Sequence, residues 1–102
     1  MTVVVQNRYF IKEGKHDEAL DVRRRASDVR RQAGRPVGRI LVGLDHGPEA
    51  PDFVWECDYP DMATREEDAA WADDSPEFTA VRSEMRTLLE RFERLAYQVD
   101  SE

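Results

Sequence analysis

Apolar residues recur along this chain in two rhythms, one of period two and one of period near 3.6. Residues 3–11, VVVQNRYFI, are β-branched and aromatic and predict a strand. One face carries Val3, Val5, Asn7, Tyr9 and Ile11, the other Val4, Gln6, Arg8 and Phe10. Glu13-Gly14 breaks the run. From residue 15 to about 33, Ala19, Val22, Ala26, Val29 and Ala33 recur at spacings of 3, 4, 3 and 4, which predicts a helix. Most of that stripe is alanine, so the helix is expected to approach its sheet closely. Gly34 and Pro36 end it. A second strand is predicted over 37–45, with Ile40, Val42 and Leu44 on one face and Arg39, Leu41 and Gly43 on the other. After a turn-rich HGPEAP connection, residues 53–59 alternate sharply: Phe53, Trp55, Cys57 and Tyr59 against Val54, Glu56 and Asp58.

The stretch 61–92 reads as two helical pieces separated at Ser75-Pro76, where Ser75 caps the second piece and Pro76 takes its first position. For the first piece, Asp61 and a Thr64–Glu67 capping box compete as the start. Phe78, Val81, Met85, Leu88 and Phe92 recur at 3, 4, 3 and 4, the stripe of a helix laid on an apolar surface. Residues 94–100 alternate again, Leu95, Tyr97 and Val99 against Arg94, Ala96 and Gln98, and predict a fourth strand.

The element order is β-α-β-β-α-β, the split βαβ arrangement. The fold expected is a ferredoxin-like α+β domain over residues 1–102, a four-stranded antiparallel sheet with both helices on one face. The helices are assigned to the apolar face, which holds Val3, Val5, Tyr9, Ile11, Ile40, Val42, Leu44, Phe53, Trp55, Cys57, Tyr59, Leu95, Tyr97 and Val99. The opposite face mixes Val4, Phe10, Leu41 and Val54 with Gln6, Arg8, Arg39, Glu56, Asp58, Arg94 and Gln98. Such a face suits a second sheet across a symmetric interface, so Val4, Arg8, Phe10, Leu41 and Val54 are candidate interface residues. A short chain leaves much of its surface wet, and a homodimer would cover some of it.

Charge narrows the partners. Fifteen Lys and Arg face 22 Asp and Glu, giving a formal charge of −7. An acidic domain repels phosphate backbones, which argues against nucleic acid. No apolar run is long enough to span a membrane, and no secretory pattern opens the chain, so the expected location is the cytoplasm, with no membrane partner. Cys57 is the single cysteine, which leaves no intramolecular disulfide and no cysteine metal site. His16 and His46 have no second ligand at metal spacing, so no metal is expected. The arginine cluster at positions 23–31 is a candidate anion site, but it is interleaved with Asp21 and Asp28 and reads more simply as a solvated helix face. The acidic run Glu66, Glu67, Asp68, Asp73 and Asp74 is its mirror image, available to face it across a dimer.

Several short patterns, taken in order, carry a resemblance. They are Arg8-Tyr9-x-x-Lys12-x-Gly14-Lys15, Gly38 after Pro36-Val37, Val54-Trp55-x-x-x-Tyr59, and Trp71 followed by Asp74-Ser75-Pro76-Glu77-Phe78. In these the chain resembles the dimeric α+β-barrel superfamily typified by antibiotic-biosynthesis monooxygenases, and within it the NIPSNAP-like branch. The resemblance implies a homodimer whose two sheets form a barrel, with a cavity in each protomer between sheet and helices. It does not fix the chemistry, because that superfamily hosts oxygenases, haem-degrading enzymes, isomerases and decarboxylases. Some members line the cavity with an Asn on the first strand and a Trp on the second helical stretch, and Asn7 and Trp71 match that placement. The haem-degrading members carry a proximal histidine about three turns beyond the Trp, where this chain has Val81, so haem and other cofactors are not expected.

The candidate catalytic residues are therefore Asn7 and Trp71, set against strand-tying and plain packing as their alternatives. Tyr9, Trp55, Tyr59, Tyr97 and Phe78 are candidate ligand-binding walls, set against a core role for each. Cys57 reads as a small buried hydrophobe without a base beside it. Two functions follow. One is a small-molecule-binding protein acting on an apolar or aromatic metabolite, with cofactor-independent oxygenation or isomerisation as its chemistry. The other is a non-catalytic dimeric accessory or stress-related module whose core is filled by its own aromatics.

Overall fold

The computed structural model describes all 102 residues. The elements, in chain order, are β1 (Val3–Ile11), α1 (His16–Gln32), β2 (Arg39–Val42), β3 (Phe53–Tyr59), α2 (Met62–Asp74), α3 (Pro76–Arg86) and β4 (Leu89–Gln98). All strand pairs are antiparallel, in the order β2-β3-β1-β4. This is the ferredoxin-like α+β arrangement, with the second helical stretch divided in two.

Local chemistry sets the boundaries. Asp61, not the Thr64–Glu67 box, starts α2: its carboxylate accepts from the Thr64 N–H at 2.7 Å. The Ser75 hydroxyl accepts from the Phe78 N–H at 3.1 Å, and Pro76 opens α3 at a position where the missing N–H costs nothing. Gly34, at φ 69°, follows α1 in the left-handed region, where a Cβ would be strained. Asp52 holds the far end of β1 by accepting from the Ile11 N–H at 2.7 Å.

Three expectations are corrected. The α3 stripe does not run on to Phe92. Thr87 bonds back to the Glu84 carbonyl, and the Leu88 carbonyl accepts from the Lys12 N–H at 2.9 Å, so the chain turns into β4 five residues before the predicted start. The 3–4 spacing persists only because buried Leu88, in the turn, and Phe92, on the strand, both face the helices. Second, β2 spans four residues instead of nine; Leu44 lies beyond it and is 89% exposed, and Val42 is 52% exposed. Third, β4 has the opposite parity to that expected. Asn7 pairs with Arg94, Val5 with Ala96 and Val3 with Gln98, so these β4 residues face the helices. Leu95 and Tyr97 pair with Gln6 and Val4 and face away. An irregularity between Phe10 and Ile11 explains how Leu89 and Phe92 can both point inward: Glu90 is the extra residue.

The main core joins β1, β3 and the helices through Val3, Val5, Tyr9, Val22, Phe53 and Trp55, with Met85 and Leu88 from the second helical stretch. Tyr9 stacks on Phe53 with centroids 4.9 Å apart. A smaller cluster joins Ala26, Ala72 and Phe78. The helices pack mainly on each other, α1 on α3 and α3 on α2, and no helix packs closely on β4. The close α1–sheet approach expected from the alanines is not found. Instead the space beside them holds arginine side chains and a cavity.

Candidate functional site

A cavity of about 610 Å³ lies between the sheet and the helices. Its walls are largely apolar, including Val22, Trp55, Phe78 and Met85. Asn7 and Tyr9 enter from β1, Tyr59 from β3, and Phe92 and Arg94 from β4. The exposed residues Asp73, Arg86, Phe92 and Arg94 mark its open side, along the strand that the helices leave uncovered.

Of the residues expected at the site, Asn7, Tyr9, Trp55, Tyr59 and Phe78 are brought together around this space. Asn7 is only 9% exposed; its Oδ1 accepts from Arg94 Nε at 2.9 Å, and its Nδ2 makes no hydrogen bond within the protein. Tyr97 is not brought in: the β4 register turns it to the other sheet face, where it is 47% exposed. Trp71 does not line the cavity either. It packs behind Phe78, ring centroids 5.3 Å apart, and under the guanidinium groups of Arg30 and Arg35. On the back of the sheet, Val4, Arg8 and Val54 are half-buried and Leu41 is 39% exposed. Phe10 differs from them: it is 8% exposed because the Arg91 guanidinium covers its ring at 3.9 Å.

The structure also contains site residues that the sequence reading placed in solvent. Arg23 and Arg30 are 4% and 5% exposed, tucked beneath α1. Both lie over the Trp55 ring, at 5.1 and 4.6 Å, and Trp55 is itself fixed by donating from Nε1 to the Val37 carbonyl at 2.8 Å. Asp68, read as part of a surface acidic run, is 1% exposed. It accepts from Arg30 Nη1 at 2.8 Å, from Arg35 Nε at 3.1 Å and from the Tyr59 hydroxyl. Arg30 of the arginine cluster and Asp68 of the acidic run thus meet inside one protomer. Burial pushes the Asp68 carboxyl upward, but the bonds from Tyr59, Arg30 and Arg35 outweigh it and hold the pKa below the usual carboxylate value. Burial, reinforced by the bond to Asp68, holds the Tyr59 phenol far above its ordinary value, so Tyr59 stays protonated. Burial likewise raises the Cys57 thiol, which leaves it a poor nucleophile. The signal for the buried arginines was present: Ala19, Arg23, Ala26 and Arg30 stand at 4, 3 and 4, on the alanine face itself.

Six arginines and two aspartates line the cavity. Asp68 is committed to Arg30 and Arg35, and Asp73 to Arg82 at 2.9 Å. Arg94 has its pKa lowered by burial first, opposed by Tyr9, and lowered further by Arg65 and Arg82 across the same space. No three His, Cys, Asp or Glu side chains cluster as a metal site would require.

The fold and this cavity define the chain as an α+β domain of the ferredoxin-like class with a pocket between its layers. Among solved structures it is similar to a NIPSNAP family protein from Agrobacterium tumefaciens, with a TM-score of 0.73 and 17% identity over 98% of this chain and 95% of that one. SnoaB, a cofactor-independent oxygenase from Streptomyces nogalater, superposes with a TM-score of 0.67 and 17% identity over 99% and 95%. A dimeric protein of unknown function and ferredoxin-like fold from Bacteroides fragilis gives 0.66 and 13% over 96% of each chain. At these identities the likeness is one of fold, and it agrees with the resemblance read from the sequence. No protein-family model matches the chain, and no curated protein sequence matches it.

Proposed function

We propose that this protein is a homodimeric small-molecule-binding protein that takes an aromatic or otherwise apolar compound into the cavity between its sheet and helices. The observation that carries this reading is the cavity itself, about 610 Å³ with Asn7 in its wall, a size in the usual range for small-molecule sites. It weighs against the accessory-module reading, which needs a core filled by its own aromatics. The chemistry that suits such a pocket is cofactor-independent isomerisation or oxygenation of a substrate with an acidic C–H or enol. A positive cavity favours the ionised form of such a compound, and the free Nδ2 of Asn7 is a donor for its oxyanion. The cavity aspartates are held in ion pairs, so the proton passes to water at the open side; isomerisation takes one back from there at a second carbon, and oxygenation takes dioxygen as co-substrate and oxidant. SnoaB, with the same fold, is a cofactor-independent oxygenase. In this reading Trp71 acts from behind, fixing Phe78 and Arg30.

Dimerisation is supported by the back of the sheet. Val4, Leu41 and Val54 share it with Leu95 and Tyr97, which the β4 register adds; the loop 43–51 leans over Leu41 and Val54, and Leu95 and Tyr97 stay exposed. The Bacteroides fragilis protein of this fold is dimeric. Native mass spectrometry of protein from its own host is expected to give the dimer mass with a retained small molecule, displaced in Asn7→Ala. A ligand-free monomer, or retention unchanged by Asn7→Ala, would overturn this reading.

A further inference from the structure

Arg23 is the buried cavity side chain that carries a charge with no carboxylate partner. It is 4% exposed, and its Nε is buried with no hydrogen-bond partner. Its polar side-chain neighbours are both uncharged: the Ser27 hydroxyl, 3.5 Å from Nη2, and the Tyr9 hydroxyl. No carboxylate pairs with it. Arg30, about two helical turns away, is equally buried but is neutralised by Asp68. The contrast matters because a buried charge without a counterion is strongly unfavourable. Burial lowers the Arg23 pKa; Tyr9 opposes this and Arg30 adds to it. A guanidinium nevertheless keeps its proton in proteins. The protein holds a fixed positive charge in a largely apolar cavity, its face partly occupied by the Trp55 ring.

We infer that Arg23 is the recognition site for a carboxylate on the bound molecule, so that the ligand is an aromatic carboxylic acid, with its ring among Tyr9, Trp55 and Phe78. The inference rests on the cavity being a ligand site at all. Its logic is chemical: a planar guanidinium fork matches a carboxylate in two bonds, and the pairing is strongest where water is excluded. Arg94 and Asn7, nearer the open side, then face the other end of the molecule. The missing counterion is supplied by the substrate, which makes an uncharged isostere a poor substitute.

The test is isothermal titration calorimetry with 2-naphthoate and its neutral isostere 2-naphthamide at neutral pH. The unmodified protein is expected to bind 2-naphthoate tighter by about ten-fold or more, since hydrogen bonds to a buried charge are worth that much. Arg23→Met is expected to abolish the preference, and Arg23→Lys to keep part of it. A second readout needs no ligand: Arg23→Met removes an uncompensated buried charge and is expected to raise the urea midpoint of the free protein, whereas a purely structural arginine would lower it when removed. Equal affinity for the two compounds in the unmodified protein would overturn the carboxylate assignment alone, and so would a preference that survives Arg23→Met. If neither compound binds, the cavity reading fails and takes this inference with it.

Discussion

Asp68 shows how one side chain can decide the state of several others. Its carboxylate satisfies Arg30, Arg35 and Tyr59 in a site sealed from water. Removing its charge leaves Arg30 buried without a counterion, so Asp68→Asn is expected to lower stability by about 3 kcal/mol at neutral pH, as breaking one side of a buried pair does. The sign with pH follows from the depressed folded-state pKa. The contribution is full above the unfolded carboxyl value, near pH 4, and is lost as the pH falls through the lower folded value. Urea titrations of the two proteins should therefore differ most at neutrality and converge in acid. A gap that persists unchanged in acid would mean that shape, not charge, is what Asp68 supplies. None of this was legible in a run of Glu66, Glu67, Asp68, Asp73 and Asp74, because helix position alone does not say which acid turns inward.

At the scale of elements, the sequence carried the order and faces of most of the fold, and β4 marks where it stopped. Alternation fixed two faces on β1 and β3, whose inward residues Val5, Tyr9, Phe53 and Trp55 are buried as expected. Alternation on β4 was equally clear, but it cannot say which face meets the helices. Leu95 and Tyr97 were placed inward on the rule that apolar residues meet the core, and the register puts Arg94 there instead. The rule fails because the back of this sheet also has apolar business. The α1 arginines depart for the complementary reason: a charged side chain belongs at the surface by rule, but Ala19 and Ala26 leave room for a long one beneath the helix. The β4 register makes a specific claim about association. Leu95→Glu, on the outer face, is expected to weaken dimerisation by about ten-fold or more in sedimentation, as a charge buried without a partner at an interface does. Unchanged association would place the interface elsewhere.

For the whole molecule, the telling feature is a mismatch between surface and interior. The chain has a formal charge of −7, yet the cavity is lined by six arginines, four of them without a carboxylate partner. Folding has gathered the positive charge where the apolar walls are, leaving the acidic residues mostly outside. The slab is thin, with extents of 38 × 34 × 17 Å: one sheet with helices on a single side, its pocket between the layers and its other face open to a second copy. The most direct test of that account is residue-resolved NMR of the protein titrated with 2-naphthamide, which carries no charge and so reports on the cavity alone. The largest amide shifts are expected at Asn7, Tyr9, Arg23 and Phe78. Shifts confined to Val4, Leu41 and Tyr97 on the back of the sheet, or none at any residue, would contradict the cavity as the place where this protein meets its ligand.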